Sequence, residues 1–277
     1  MKFTSALSIL LGASSAFAAP SALPDGVQLV PRIPRAAQRR ALRQTSPLIP
    51  ATSAFKEDSA AAGNSSHVDY SQNWAGAVLI GSGFTSVTGT IVVPTPSAPS
   101  GGRRSTQYAA SAWVGIDGDT CQTAILQTGV DFYATGSGSV SFDAWYEWFP
   151  DYAYTFSGFA VHAGDTIRMT ATVSGSTSGS VRLENLSTGR SVSHSFSNQQ
   201  GSLCQTNAEW IVEDFSSGGG LVPFADFGTV TFTSASATTR SGTVGVQGAD
   251  IIDIRQGNSV LTDCSTSGSS TVTCTYV

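Results

Sequence analysis

Two short runs carry the residues whose types and spacing could do chemistry. Residues 124–129 contain Gln127, and residues 207–215 contain Glu209 and Glu213. Both runs have the composition of β-strands, in which successive side chains point to opposite faces. Glu209 and Glu213 therefore share one face, and the bulky apolar residues at the even positions between them share the other. The pattern predicts a strand with one face on a core and the other on a cleft or on solvent.

A carboxylate and a carboxamide could together hydrolyse an amide bond without a metal or a covalent nucleophile. Glu209 could take a proton from water while it is ionised, and could later return that proton to the leaving amine. Gln127 could donate an amide hydrogen to the developing oxyanion, and a carboxamide does not titrate in acid. A single Glu or Gln is far more often a solvated surface residue, so the surrounding sequence has to support this interpretation.

Further polar residues accompany both strands. Trp113 and Asp117 share strand parity, and Asp131 shares the face of Gln127. We expect substrate-binding or supporting roles for these three residues. A place in the core or in the wall of a cleft fits Trp113 equally well.

Residues 139–149 alternate as a strand that places Glu147 on one side together with aromatic residues. That face resembles the lining of a groove for an extended substrate, although a sheet edge with aromatic packing gives the same pattern. Glu213 lies four residues beyond Glu209, about 13 Å along an extended backbone. We expect Glu147 and Glu213 to be supporting or substrate-facing carboxylates.

These segments resemble the sequence signatures of the fungal glutamic peptidases, the eqolisin family. The run Asn73-Trp74-Ala75-Gly76 and the runs around Gln127 and Glu209 carry the resemblance, which covers residues of about 70 to 277. It implies a secreted acid endopeptidase that acts on polypeptides without a cofactor, with Glu209 as general base and Gln127 as oxyanion donor. It also implies an all-β fold, an antiparallel two-sheet β-sandwich of the concanavalin/lectin-like type, with the active site on the concave face.

The composition of the larger part of the chain also favours an all-β domain. Gly, Ser, Thr and Val are abundant there, and short alternating runs are separated by turn residues. No segment shows a helical period over three turns, so an antiparallel sandwich is expected. The runs that predict strands include residues 87–93, 166–173, 228–233 and 271–277, and residues 181–195 predict a hairpin.

The chain divides into three parts. Residues 1–18 read as a secretory signal peptide, with Lys2 before an apolar stretch that is shorter than the roughly 20 residues a membrane span needs. Residues 19–66 are basic and rich in Pro and Ala, which favours a prosegment over an incidental disordered linker. Residues 67–277 contain seven Arg, no Lys and sixteen Asp or Glu, a net charge of −9.

The charge difference predicts that the prosegment inhibits its own domain. A basic segment would dock on an acidic cleft near neutral pH. If pairing lowers the pKa of the carboxylates, docking is kept above those pKa values and lost as the pH falls through them. We therefore expect release on acidification.

The four cysteines predict two disulfides in an exported protein, with three possible pairings. A hairpin turn between Cys264 and Cys274 would join those two and would leave Cys121 to pair with Cys204. Asn185, in the sequence Asn-Leu-Ser, is a glycosylation acceptor on a predicted hairpin turn.

Other functions fit the sequence less well. A carbohydrate-active β-sandwich, glucanase or lectin, is the alternative, but Ile211 stands where the glucanase E-x-D-x-E pattern needs Asp. A non-catalytic secreted protein would be favoured if Gln127 and Glu209 lay away from any cleft. The three histidines have no metal-ligand spacing, so no metal site is expected, and an acidic domain disfavours nucleic acid as a partner. We expect a monomer without membrane contact.

Overall fold

A computed structural model describes residues 43–51 and 68–277 of the chain. Every regular element in these two ranges is a β-strand. The strands are, in chain order, β1 (Arg43–Gln44), β2 (Val68–Ser71), β3 (Trp74–Ile80), β4 (Phe84–Val92), β5 (Gln107–Ile116), β6 (Ile125–Thr135), β7 (Val140–Phe149), β8 (Tyr154–Thr155), β9 (Thr166–Gly175), β10 (Ser178–Asn185), β11 (Arg190–Phe196), β12 (Asn207–Glu213), β13 (Ser216–Ser217), β14 (Thr229–Thr239), β15 (Gly242–Val244), β16 (Asp250–Gln256), β17 (Ser259–Val260), β18 (Thr262–Ser267) and β19 (Thr271–Tyr276).

Two large sheets make up the domain. The first, which we call the cleft sheet, has the strand order β17-β16-β3-β12-β5-β6-β7-β8, and β2 pairs with β16. The second has the order β11-β10-β9-β4-β14-β19-β18, and β15 pairs with β14. The short strands β1 and β13 form a third, two-stranded sheet. The all-β fold expected from the sequence is confirmed.

The main core lies between the two sheets, and the alternation of the strands decides which side chains enter it. On β12, Trp210 and Val212 belong to this core, whereas Ile211 belongs to a separate apolar cluster on the other face. Glu209 has the parity of Ile211 and lies on that other face too. All seven residues of β12 are nevertheless buried. Chain segments therefore cover both faces of the central strands, including the face on which the sequence predicted a cleft or solvent.

Both predicted disulfides are confirmed. Cys121 is bonded to Cys204 across 83 positions of sequence. Cys264 and Cys274 are directly opposite each other on β18 and β19 and form the second bond. The first bond joins the loop after β5 to the loop before β12, and so ties together two strands of the cleft sheet.

The predicted hairpin at residues 181–195 is present as β10 and β11. Among the residues that the structure describes, no helix is long and apolar enough to cross a membrane. The expected signal peptide lies outside these residues.

Candidate active site

The register of three neighbouring strands places Glu209 and Gln127 on either side of a glycine. Glu209 pairs with Gly115, and Gly115 pairs with Gln127. Directly opposed residues share a face of a sheet, and adjacent strands lie about 4.8 Å apart, so the two backbones are separated by roughly 10 Å. A Cβ atom at Gly115 would lie 2.8 Å from Cζ3 of Trp113 and 3.3 Å from Cβ of Gln127. Since Gly115 has no side chain, the ring of Trp113 packs against its backbone between the two polar side chains.

Neither polar side chain of this pair has a hydrogen-bond partner among the described residues. Glu209 and Gln127 are both fully buried. Both carboxyl oxygens of Glu209, and the amide oxygen and nitrogen of Gln127, make no hydrogen bond. A buried polar group without a partner costs on the order of 1–3 kcal/mol. Groups left in this state are expected where a ligand supplies the missing partners.

Burial raises the pKa of Glu209 well above 4.5, and the nearby carboxylates of Asp117 and Asp119 raise it further. Glu209 is therefore protonated at acid pH in this closed arrangement. A protonated carboxyl can act as a general acid, whereas the general-base role requires that the group first be ionised.

Asp117 holds the start of β12 in place. Its backbone has a φ of 69°, which turns the chain out of β5. Its carboxylate accepts backbone N–H bonds from Gln205 and Thr206, both at 2.8 Å, and from Asn207 at 3.2 Å. These bonds end two residues before Glu209. Asp117 therefore supports the position of Glu209 and does not point into the groove.

A second polar cluster, which we call the arginine cluster, adjoins the pair on the same face of the cleft sheet, where Glu147 is directly opposite Gln127. It consists of Arg43, Asp131, Glu147, Glu213 and Ser111. Nε of Arg43 donates to Asp131 at 2.7 Å, Nη2 donates to the other oxygen of Asp131 at 2.9 Å, and Nη1 donates to Glu147 at 3.2 Å. Nη2 also donates to Oγ of Ser111 at 3.1 Å.

Aromatic rings enclose the guanidinium of Arg43. Its Cζ lies 3.7 Å from the ring centroid of Trp145 and 4.6 Å from that of Phe215. Burial alone would lower the pKa of Arg43, but Asp131 and the two glutamates outweigh burial and raise it. Glu213 also accepts a bond from Nε1 of Trp113 at 3.0 Å.

The pKa values of two carboxyls in the arginine cluster contradict one expectation from the sequence. The sequence analysis assumed that pairing lowers carboxylate pKa values. Burial instead raises the pKa of Glu147 to about 8, although Arg43 and Thr45 act to lower it. Burial likewise raises the pKa of Glu213 well above 4.5 in spite of Arg43. The assumption is wrong for these two residues, because the guanidinium of Arg43 does not offset the loss of water around their carboxyl groups.

The sequence-predicted residues thus fall into two groups. Glu209 and Gln127 meet across Gly115, with Asp117 behind Glu209. Asp131, Glu147 and Glu213 instead surround Arg43, and Trp113 contacts this second group through Glu213.

Sequence reasoning missed three residues of the site. Arg43 was counted only as one charge of the prosegment, and Gly115 was not singled out. Asn73 was part of a family signature, but its hydrogen bonds to residues 46, 47 and 49 could not be foreseen. The excess of basic residues in residues 19–66 was the only available signal for Arg43.

Asn185, the predicted glycosylation acceptor, is fully buried at the end of β10. Its Nδ2 donates to Asp165 at 2.8 Å. A glycan on that nitrogen would displace this bond and would need space that the fold does not leave. The arrangement disfavours glycosylation at Asn185.

Three comparisons with known proteins bear on this site. A family model described as the peptidase A4 family matches residues 72–276. Over the full length of both chains, this chain is 50% identical to Aspergillopepsin-2 of Aspergillus niger and 45% identical to Scytalidopepsin B of Scytalidium lignicola. A crystal structure of scytalido-glutamic peptidase with a transition state analog inhibitor matches with a TM-score of 0.67 at 50% identity. The match covers 74% of this chain and 98% of that chain.

Proposed function

This chain belongs to the peptidase A4 family and is a glutamic-type endopeptidase, and we propose that Glu209 and Gln127 are its catalytic pair. The observation that carries the proposal is the pairing of two buried, unpartnered polar side chains across Gly115. A scissile amide held between Glu209 and Gln127 would supply an acceptor for Nε2 of Gln127 and a position for water beside Glu209.

The proposed cycle has two steps. Water attacks the scissile carbonyl carbon while ionised Glu209 takes one of its protons, so that a C–O bond forms and the carbonyl oxygen becomes an oxyanion. Gln127 donates a hydrogen bond to that oxyanion. The C–N bond then breaks as Glu209 passes its proton to the leaving nitrogen, which returns the carboxylate and releases an amine and an acid.

The cycle requires that the groove open. In the closed arrangement burial keeps the proton on Glu209, because its pKa is raised. Water that enters an opened groove would solvate the carboxylate and move its pKa back toward 4.5. The base form would then exist at acid pH, in keeping with an acid endopeptidase.

Two substitutions test the catalytic assignment. Glu209→Gln keeps the shape of the side chain but can neither accept nor return the proton, and general acid–base catalysis contributes about 10²–10⁴-fold. Gln127→Ala removes one oxyanion donor, which costs about 10²–10³ in kcat. Hydrolysis of a denatured protein at acid pH is the readout, with Glu184→Gln on the second sheet as a matched control. Unchanged hydrolysis in either variant would remove that residue from the pair.

The alternative, a glycoside hydrolase, finds little support. A retaining enzyme needs two carboxyl groups about 5–5.5 Å apart. Glu209 and Glu213 are about 13 Å apart along their strand. Glu213 is also engaged by Trp113 and by the backbone of Ser46.

We propose further that the prosegment inhibits the peptidase through residues 43–51. Arg43 fills the arginine cluster, and Leu48 packs on the apolar cluster that contains Trp74, Trp113 and Ile125. These residues lie on the face that carries the catalytic pair. A substrate strand could not occupy that face while the segment is bound.

The raised carboxyl pKa values set the direction of the pH dependence. While the segment is docked, the pKa of Glu147 is about 8 and that of Glu213 is raised as well. After release, water reaches both groups and their pKa values return toward 4.5. Docking is thus coupled to proton uptake, and it weakens as the pH rises toward 8. This direction reverses the release on acidification that the sequence analysis expected.

A peptide of residues 43–51 tests this inhibition. We expect it to inhibit the activated enzyme more strongly as the pH falls from 8 to 5, and we expect the same peptide with Arg43 replaced by alanine to lose most of the inhibition. Inhibition that weakens steadily over the same pH range would contradict the proposed coupling.

We also propose secretion as a monomer. The signal-like residues 1–18 and two disulfides support export, since disulfides persist in oxidising compartments. N-terminal sequencing of the protein from the culture medium, together with its mass in solution, would test both parts of the proposal.

A further inference from the structure

We propose that Asn207 is a positioning residue of the peptidase, which holds Glu209 at a fixed distance from the loop that binds a peptide backbone. That loop consists of residues 117–124 and joins β5 to β6. Asn207 acts through this loop and through β12, so its effect on the reaction is indirect. The inference rests on the proposed role of Glu209 as the general base.

Glu209 lies close to the end of the strand pair that connects it to Gln127. Glu209 pairs with Gly115, and the last pair of the ladder between β12 and β5 is Ala208 with Ile116. Strand ends open locally more easily than strand centres. Contacts beyond the ladder are therefore needed to keep Glu209 at a constant position relative to β5.

Asn207 and Asp117 form such contacts in opposite directions. The carboxylate of Asp117, just beyond β5, accepts bonds from the backbone at the start of β12. Conversely, Oδ1 of Asn207 accepts from the N–H groups of Thr120 at 3.0 Å and Cys121 at 3.3 Å. Nδ2 of Asn207 donates to Oγ1 of Thr120 at 2.8 Å. The disulfide between Cys121 and Cys204 joins the same two segments covalently.

The side chain of Asn207 is the neighbour of Glu209 on one face of β12. The two residues have the same strand parity, so their side chains leave that face about 7 Å apart along the strand. Asn207 is fully buried, and its carboxamide is bonded to the 117–124 loop. The loop leads directly into β6, on which Gln127 is the third residue. One carboxamide thus connects the strand of Glu209 to the loop that precedes the strand of Gln127.

The 117–124 loop also holds the peptide segment that occupies the groove. The N–H of Leu48 donates to the carbonyl of Gly118 at 3.1 Å, and the carbonyl of Leu48 accepts from Nε2 of Gln122 at 3.2 Å. Bonds to the main chain do not depend on the side chain of the bound residue. A substrate can therefore use the same donor and acceptor once the segment has left. Asn207 then fixes the distance between the bound peptide and Glu209.

Loss of the Asn207 carboxamide should affect the chemical step more than binding. The N–H groups of Thr120 and Cys121 would lose their acceptor, and the loop would move relative to β12. The loop would still offer its two groups to the peptide backbone, so KM should change little. The bound peptide would be displaced from Glu209, and a misplacement of about 1 Å can cost 10²-fold in rate.

The test compares Asn207→Ala with the matched control Asn185→Ala. Asn185 is also fully buried, at the end of β10 in the second sheet. Its Oδ1 accepts from the N–H groups of Ser187 and Thr188 at 3.0 and 3.1 Å, and its Nδ2 donates to Asp165 at 2.8 Å. The two substitutions therefore remove the same kind of buried contacts. The melting temperature of each activated enzyme is measured, and kcat and KM for a peptide are measured at acid pH well below it.

We expect Asn207→Ala to lower kcat on the order of 10²-fold with KM nearly unchanged. Asn185→Ala should lower the melting temperature but keep the wild-type kcat. Asn207→Asp should restore most of the kcat in acid, because a protonated carboxyl accepts with one oxygen and donates with the other, as the carboxamide does. Thr120→Val, at an exposed position, removes only the acceptor of Nδ2 and should give a smaller fall in kcat. This variant decides the question if Asn207→Ala does not fold.

A kcat that is unchanged in the variants of Asn207 and Thr120 would overturn the inference. Equal losses of kcat in the two alanine variants would overturn it as well, because they would reflect lower stability alone. Glu209→Gln is assayed alongside. If that variant keeps the wild-type activity, the proposed catalytic pair fails and Asn207 has no base to position. If it is inactive while Asn207→Ala and Thr120→Val keep the wild-type kcat, only the role of Asn207 fails.

Discussion

The cleft sheet carries two buried clusters of polar residues on the same face, and they differ in how many of their polar atoms form hydrogen bonds. Around Arg43, the guanidinium donates hydrogen bonds to four residues, Asp131, Glu147, Ser111 and Thr45, and lies between two aromatic rings. At Glu209 and Gln127, four polar atoms have no hydrogen-bond partner within residues 43–51 and 68–277. The two regions have similar burial and similar residue types. The arginine cluster thus holds its occupant, while the proposed catalytic pair is free to bind one.

The same comparison explains how inhibition and catalysis can share one groove. The domain binds the segment of residues 43–51 through the arginine cluster and through the backbone of residues 45–51. Among the described residues, neither side chain of the proposed catalytic pair forms a hydrogen bond with this segment. Substitutions at Arg43, Gly115 and Asp214 test this contrast.

Replacing Arg43 should leave the arginine cluster without its cation and weaken docking of the prosegment. Truncating one partner of a buried, hydrogen-bonded charge pair costs about 2–5 kcal/mol. We therefore expect Arg43→Ala in the full-length chain to weaken docking of the prosegment at least 30-fold, which follows from about 1.4 kcal/mol per tenfold. The activity of the unprocessed chain toward an added peptide measures the change. Arg240→Ala, an exposed arginine, is the control, and equal latency in both variants would count against the role of Arg43.

A side chain at Gly115 should disturb the arrangement of Glu209 and Gln127. A methyl group there would meet Trp113 and Gln127 within 3.3 Å, so one of the two must move. Because a misplacement of about 1 Å can cost 10²-fold in rate, we expect Gly115→Ala to lower kcat on the order of 10²-fold. The overpacking should also lower the free energy of unfolding by about 1–3 kcal/mol, which a fall in melting temperature would show. Gly220→Ala, where an added Cβ meets nothing, should leave kcat unchanged.

Asp214 is an intermediate case beside the two regions. One of its carboxyl oxygens accepts from Nε2 of Gln256 at 2.7 Å, and the other has no partner. Burial raises its pKa to about 7, although Gln256 acts to lower it. A raised carboxyl pKa means that stability is present in acid and is lost as the pH rises from about 4 to 7.

We expect Asp214→Asn to relieve that loss. At pH 7.5 the free energy of unfolding should increase by about 1–2 kcal/mol. This is less than the rise of the pKa from 3.8 to about 7 would give at 1.36 kcal/mol for each pKa unit. At pH 4 the substitution should change little. Urea unfolding at both pH values checks the prediction, with exposed Asp263→Asn as the control. A gain of the same size at both pH values would show that the effect is not one of ionisation.

Local sequence patterns were enough to predict the strands and the face of each strand on which a side chain lies. Alternation alone placed Glu209 opposite Trp210, since each strand turns every second residue to the same side. The short spacing between Cys264 and Cys274 was enough to predict their disulfide. The resemblance to a family placed Gln127 and Glu209 in one groove, and the sheet register agrees with that arrangement.

Contacts between distant parts of the chain could not be predicted in the same way. Arg43 meets Asp131 across 88 positions, and no local pattern marks one arginine among the five of the N-terminal segment. The positive φ of Asp117 takes it out of the strand alternation, so parity suggested a wrong direction for its side chain. The raised pKa of Glu147 depends on burial beneath residues 43–51, which charge counting cannot show.

The central claim is that Glu209 and Gln127 act together on one scissile amide, and a double-substitution cycle tests it most directly. The quantity to measure is kcat/KM at acid pH for Glu209→Gln, for Gln127→Ala and for both together. Residues that act as a unit are not additive, so we expect the double variant to be about as active as Glu209→Gln alone. Losses that multiply in the double variant would mean that the two residues work independently, and would contradict the account.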